Sequence, residues 1–150
     1  MAVRRFAVIC FILYSLTFWN PNETLSMDLA QFQWKNRLLF LFFPDKNHSL
    51  FKSLKSEIMN QHAEVKDRDL VVFEMLERDS AKMNGADIDR QTADSIREHF
   101  SVPSNKFSLI LVGKDGSIKL KSHDHVSLEE VFELIDSMPM RQSEMRQKDH

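Results

Sequence analysis

The chain has 150 residues and a mass of 17.6 kDa, with 43% hydrophobic and 28% charged residues, the make-up of one globular domain rather than of a disordered or integral membrane chain. A net charge of −2, from 20 Lys plus Arg against 22 Asp plus Glu, excludes the basic excess of a phosphate-tracking nucleic-acid binder. One cysteine and three glycines exclude an internal disulfide framework, a Cys-x-x-Cys centre and glycine-rich phosphate loops.

The N-terminus reads Met-Ala-Val-Arg-Arg and then runs from Phe6 to Trp19 without a charge. A basic start before a short apolar run has the form of a secretory signal, and the run falls short of the roughly 20 residues a membrane-spanning helix needs. Asn20, Pro21, Asn22 and Glu23 close it, and Thr24 and Ser26 are small residues beside a cut after Ser26. The expectation is a signal peptide over residues 1–26, a folded domain over 27–141, a charged flexible tail over 142–150, and a periplasmic or secreted product. Cys10 lies inside the apolar run, so the exported chain is expected to keep neither a cysteine nor a membrane span.

Leu38-Leu39-Phe40-Leu41-Phe42-Phe43, stopped by Pro44, has the length and aromatic content of a strand buried on both faces. Asn47 and Ser49, residues of capping type, precede Leu50, Phe51, Leu54 and Ile58, whose spacing predicts an amphipathic helix. Leu70 to Phe73, with Met75, predicts a second strand, and a polar connection holding Lys82, Asn84 and Gly85 leads to Ala93, Ile96 and Phe100 at helical spacing. Phe107 to Val112 predicts a third strand. Asp115-Gly116 then marks a tight primed hairpin turn into the alternating Ile118-Lys119-Leu120-Lys121. Ser127 and Glu130 form a capping box before Leu128, Val131, Phe132, Leu134, Ile135 and Met138, and Pro139 stops that helix. The order β-α-β-α-β-β-α predicts an α/β fold, a thioredoxin-like three-layer sandwich with a mixed four-stranded sheet.

With the elements placed, several strings resemble a domain-of-unknown-function family with a peroxiredoxin-like, thioredoxin-like fold. That family occurs in small exported bacterial proteins and in vertebrate sushi-repeat-containing and coiled-coil-domain extracellular-matrix proteins. The resemblance is carried by Trp34-Lys35-Asn36-Arg37-Leu38, Asp67-Arg68-Asp69-Leu70, Gly113-Lys114-Asp115-Gly116 with Lys119, and Asp136-Ser137-Met138-Pro139-Met140-Arg141. It implies the fold and an extracytoplasmic setting and brings no activity with it.

In thioredoxin-like enzymes the reactive cysteine lies between the first strand and the following helix, where the helix N-terminus stabilises a thiolate. Here that segment is Pro44-Asp45-Lys46-Asn47-His48-Ser49, without sulfur. Asp45, His48 and Ser49 are candidate binding residues there, with loop and capping roles favoured over a Ser–His nucleophile. His123-Asp124-His125 could present two imidazoles to a metal, but no further ligands stand nearby in sequence, and a solvated loop is the favoured reading. Trp34 is expected to cover one end of the core, with Lys35 and Arg37 facing solvent. Lys114, Lys119, Lys121 and Arg141 are candidates for a basic patch, and Asp67-Arg68-Asp69 reads as a solvated turn. The functional reading is a non-catalytic module, without cofactor, that binds a protein or an envelope or extracellular surface through residues among Trp34, Arg37, Lys114 and Arg141. The alternative is a non-thiol redox accessory or a metal protein using histidines.

Overall fold

Seven consecutive buried residues, Arg37–Phe43 (β1), form the centre of the sheet. The computed structural model describes residues 28–148; the expected signal peptide and Cys10 lie outside the described residues. Leu70–Leu76 (β2) pairs with β1 in parallel, Arg37 opposite Leu70, and Ser108–Val112 (β5) pairs antiparallel on the other side. Because side chains alternate along a strand, Leu39, Leu41 and Phe43 enter one core. There they meet Leu54 of Ser49–Asn60 (α1), Val65 of His62–Asp67 (α2) and Leu128, Val131, Phe132 and Ile135 of Leu128–Asp136 (α4). Leu38, Phe40 and Phe42 enter the other, against Ala93 and Ile96 of Arg90–His99 (α3) and Phe100 after it. Phe40, fully buried, stacks on Phe73 with ring centroids 4.5 Å apart. The three layers and the central two-sided strand are those that the apolar run predicts.

The sheet has six strands rather than the expected four, in the order β4-β3-β2-β1-β5-β6 with Ile118–Ser122 as β6. The additional pair is a hairpin of Ala81–Met83 (β3) and Ala86–Ile88 (β4) inside the stretch read as a polar connection. Asn84 and Gly85 form its turn, both at positive φ (48° and 84°), the backbone that a two-residue primed turn demands. Its cross-strand contact is a 2.6 Å ion pair, Lys82 with Asp87, so no apolar alternation announces it. Asn84 also closes the exposed edge of β2, accepting from Val72 N–H and donating its own N–H to Val72 C=O, each at 2.8 Å.

Three local differences follow from hydrogen bonding. Gly116 alone is left-handed at the β5–β6 turn (φ 80°) and donates to Gly113 C=O at 2.9 Å, so this is a longer turn than the primed one expected from Asp115-Gly116. α1 begins at Ser49 with His48 in the capping position, and no side chain caps it. The region expected as a charged tail is instead a helix, Pro139–Lys148 (α5); proline suits a first helical turn because its missing N–H would have no partner there. At α4 the capping box is present, Ser127 Oγ accepting from Glu130 N–H at 3.2 Å and Glu130 accepting from Ser127 N–H at 2.8 Å.

Candidate functional site

The C-terminal end of β1 is where the fold's thiol enzymes keep their cysteine, and here it carries aromatic and polar side chains. The His48 ring lies against Phe43 and Phe107, centroids 5.8 and 5.9 Å away, and among the described residues its shielded Nδ1 has no hydrogen-bond partner. Asp45 accepts from Asn47 N–H at 2.8 Å and faces Arg78 at 4.0 Å. Ser49 is exposed. The serine–histidine contact that does form, which the sequence reading missed, joins Ser108 Oγ to His123 Nδ1 at 2.8 Å. Ser108 is fully buried at the start of β5, while its partner His123 is exposed. Among the described residues no three His, Cys, Asp or Glu side chains are grouped to hold a metal, so His125 does not join His123 in a centre.

The opposite end of the sheet is built differently. Arg37, at the start of β1, is 1% exposed rather than solvent-facing. Its Nη1 donates to Arg68 C=O at 2.9 Å, and its guanidinium forks onto Glu144 of α5 at 3.1 and 3.2 Å. Lys114, after β5, is 9% exposed and reaches Glu144 and Asp69, each at 2.8 Å. Arg141, 3% exposed, bonds Asp67 and Asp136, and Arg68 bonds Asp136 and Glu64 while lying over the Phe132 ring at 4.3 Å. Lys148 closes the network onto Asp67. Asp67-Arg68-Asp69 is therefore a tertiary junction, not a solvated turn. Lys114 and Arg141 are not an open basic patch either: each is buried against carboxylates. Lys119 pairs with Asp115 at 2.7 Å, and Lys121 donates to Phe100 C=O.

The carboxylates respond to these partners. Hydrogen bonds from Lys148 and Arg141 lower the Asp67 carboxyl from 3.8 to about 2. Burial works to raise Asp136, but Arg68 and Arg141 outweigh it and hold the group below the usual range. Burial likewise opposes ionisation of Glu144, and Arg37 with Lys114 prevails, so its carboxyl is also lowered.

Trp34 stands beside this network and does not cover the core: it is 64% exposed, and Phe32 packs on Phe73 instead, centroids 6.0 Å apart. Its backbone is left-handed (φ 64°), a conformation that costs a non-glycine residue about 1 kcal/mol and persists only where neighbours over-determine it. They do so here. Trp34 N–H donates to Lys114 C=O at 2.6 Å, Lys35 and Asn36 both donate to Phe32 C=O, and Gln33 Nε2 donates to Asp115 C=O at 3.0 Å. A cleft of about 250 Å³ opens on the same end, lined by Arg37, Lys114, Lys119, Met138, Pro139 and Met140. A wider cleft of about 600 Å³ lies along α1, α2 and the edge of β2, with Met59 among its lining residues.

The strings that carried the family resemblance thus converge from distant parts of the chain on one end of the sheet. The family profile described as "Domain of unknown function (DUF4174)" matches residues 28–144, and the chain belongs to that family. A curated relative, coiled-coil domain-containing protein 80 of Danio rerio, is 26% identical over 139 residues, covering 82% of this chain and 16% of the relative. This chain therefore spans under one fifth of that protein's length. Among solved structures, the reduced 2-Cys peroxiredoxin of Plasmodium vivax has a TM-score of 0.54 at 13% identity, covering 77% of this chain and 84% of that one. Thioredoxin peroxidase I of Plasmodium yoelii has a TM-score of 0.56 at 15% identity, covering 77% and 79%. At these identities the likeness establishes a peroxiredoxin-like fold and no chemistry.

Proposed function

We propose that this chain is an exported, non-catalytic binding module in which a peroxiredoxin-like fold presents the Trp34 end of its sheet to a protein or envelope-surface partner. The observation that carries the reading is Trp34 itself, a large aromatic side chain held out in solvent by a strained and fully hydrogen-bonded loop. Large, rigid aromatic side chains dominate binding energies at protein interfaces because they remove much apolar area from water at little entropic cost. The cleft at the same end, lined by Lys114 whose carbonyl holds the Trp34 N–H, adds apolar and charged side chains, with Met140 at 39% exposure among them. The thiol position supports the non-catalytic half, because residues 44–49 contain no cysteine.

Photo-crosslinking tests the reading. A benzophenone amino acid replaces Trp34 in one variant of the full chain and Asn47, at the thiol end, in another. The expected result is a partner adduct from position 34 and none from position 47, on a chain that has lost residues 1–26. Adducts from 47 alone, or a chain retaining residues 1–26 in the cytoplasm, overturn it.

A further inference from the structure

α5 is held to the domain almost wholly by charge. Of its residues only Arg141 is buried; Met145, one turn on, is half-buried, and Met140 and Pro139 are exposed. A helix docked through an apolar stripe keeps that stripe covered, and α5 has none. What fastens it is Arg141 on Asp67 and Asp136, Lys148 on Asp67, and Glu144 on Arg37 and Lys114.

Glu144 sits in its cradle as a ligand sits in a site. Oε1 lies 2.8 Å from Lys114 Nζ and 3.2 Å from Arg37 Nη2, while Oε2 lies 3.1 Å from Arg37 Nη1 and 4.0 Å from Arg141 Nη1. This is the two-pronged geometry by which a guanidinium recognises a carboxylate. The cradle and its occupant belong to different elements. Arg37 lies in the central strand and Lys114 in the turn after β5, so both are placed by the sheet, at 1% and 9% exposure. Glu144 lies on the terminal helix and is 23% exposed. Among the described residues, the shielded Arg37 Nε–H has no acceptor. The 250 Å³ cleft reaches Arg37 and Lys114 beside α5, with the Lys119–Asp115 ion pair also in its lining and Met138, Pro139 and Met140 as an apolar wall.

We infer that Arg37 and Lys114 form a carboxylate-binding site which Glu144 fills in cis, and that its ligand in trans is an acidic segment of a partner polypeptide, whose Asp or Glu side chain takes the place of Glu144. The inference rests on the reading of the Trp34 end as the binding end. Exchanging one carboxylate for another leaves the cradle neutralised throughout, so neither buried cation is stripped of its counter-charge. Apolar residues flanking the acidic group then meet the cleft's methionine wall and Trp34. Because Glu144 competes for the site, the apparent affinity for the partner is reduced by the fraction of time that α5 is docked.

The test uses the full chain with a capped eight-residue peptide alternating glutamate and leucine, its glutamine counterpart, inorganic phosphate and an alginate oligomer. In titration calorimetry, Glu144→Gln is expected to bind the glutamate peptide about tenfold more tightly than wild type, and the glutamine peptide not at all. Adding Lys114→Met to Glu144→Gln is expected to abolish the gain. Wild type supplies an arm that does not depend on a variant folding: saturating glutamate peptide is expected to remove hydrogen-exchange protection from the α5 amides and leave β1 protected. Equal binding of the two peptides, no gain from Glu144→Gln, or α5 protection unchanged by the peptide overturns the inference. A Glu144-dependent gain for phosphate or alginate without one for the peptide also overturns it, assigning the cradle to a free anion or a polysaccharide. Crosslinking at position 34 that persists when the peptide arms fail removes this inference alone and leaves the binding reading standing.

Discussion

Replacing Arg37 with methionine is expected to lower the stability of the full chain by about 3 kcal/mol, as for loss of one partner from a buried ion pair. The side chain is 1% exposed, and its guanidinium serves both Arg68 C=O and the Glu144 carboxylate. Methionine fills similar space but donates nothing. Arg68 C=O is then left without that donor in a buried setting, and Glu144 keeps only Lys114 at 2.8 Å and Arg141 at 4.0 Å. For a domain of this size the loss corresponds to a fall in Tm of about 10 °C in a thermal melt. Adding Glu144→Gln to Arg37→Met is expected to recover part of the loss, because a neutral amide needs no counter-charge. A loss below about 1 kcal/mol in the single variant would mean that water reaches the guanidinium and that the pair behaves as an exposed one.

Acid is expected to release α5 before the sheet unfolds. Asp67, Asp136 and Glu144 all have carboxyl groups lowered in the folded chain, Asp67 to about 2. A lowered carboxyl stabilises the fold fully above its unfolded value and loses that contribution as pH falls toward the folded value. For Asp67 the window runs from about pH 4 down to about pH 2. Asp67 is 42% exposed, so solvent screening limits its share to about 1 kcal/mol, and Asp136 and Glu144 add in the same direction. All three carboxylates fasten α5, through Arg141 and Lys148 or through Glu144 itself, whereas β1 is held by apolar burial on both faces. Hydrogen exchange at pH 2, the lower end of that window, should therefore show α5 amides unprotected while β1 amides remain protected. Simultaneous loss in both elements, or no change between pH 6 and pH 2, contradicts a charge-fastened helix.

The fold was readable wherever burial leaves a local pattern. The run Leu38–Phe43 is apolar without interruption because β1 is covered on both sides, and Ser127 with Glu130 announces α4 through a cap that lies within one turn. The β3–β4 hairpin was not readable: its strands are three residues each, and its one buried side chain, Ala81, makes no alternation. Asn84-Gly85 was the available signal, a dipeptide suited to positive φ. The charged junction was hidden for a different reason. Arg37 and Glu144 are 107 positions apart, and Arg141 and Asp67 are 74 apart, so no window of sequence contains both partners. Each half, taken alone, looks like a solvated charge. A clue was present in position: Arg37 abuts the apolar run directly, and Asp67-Arg68-Asp69 abuts Leu70 in the same way, which places these charges at the ends of buried strands. Pairing them required the parallel register of β1 and β2 and a last helix that the sequence reading left as a tail.

The two ends of the sheet divide the account. The end that carries thiol chemistry in the fold's enzymes has aromatic packing around His48 and a contact between the buried Ser108 hydroxyl and the exposed His123 ring. The other end has an exposed tryptophan, buried cations and a helix secured mainly by ion pairs. Hydrogen peroxide consumption separates them most directly, measured in excess dithiothreitol for the full chain, for Cys10→Ser and for chain-free buffer. The account predicts that both proteins match the buffer. Saturable consumption lost in Cys10→Ser would return the chemistry to sulfur, consumption that survives the substitution would place it on another group, and either result contradicts a non-catalytic module.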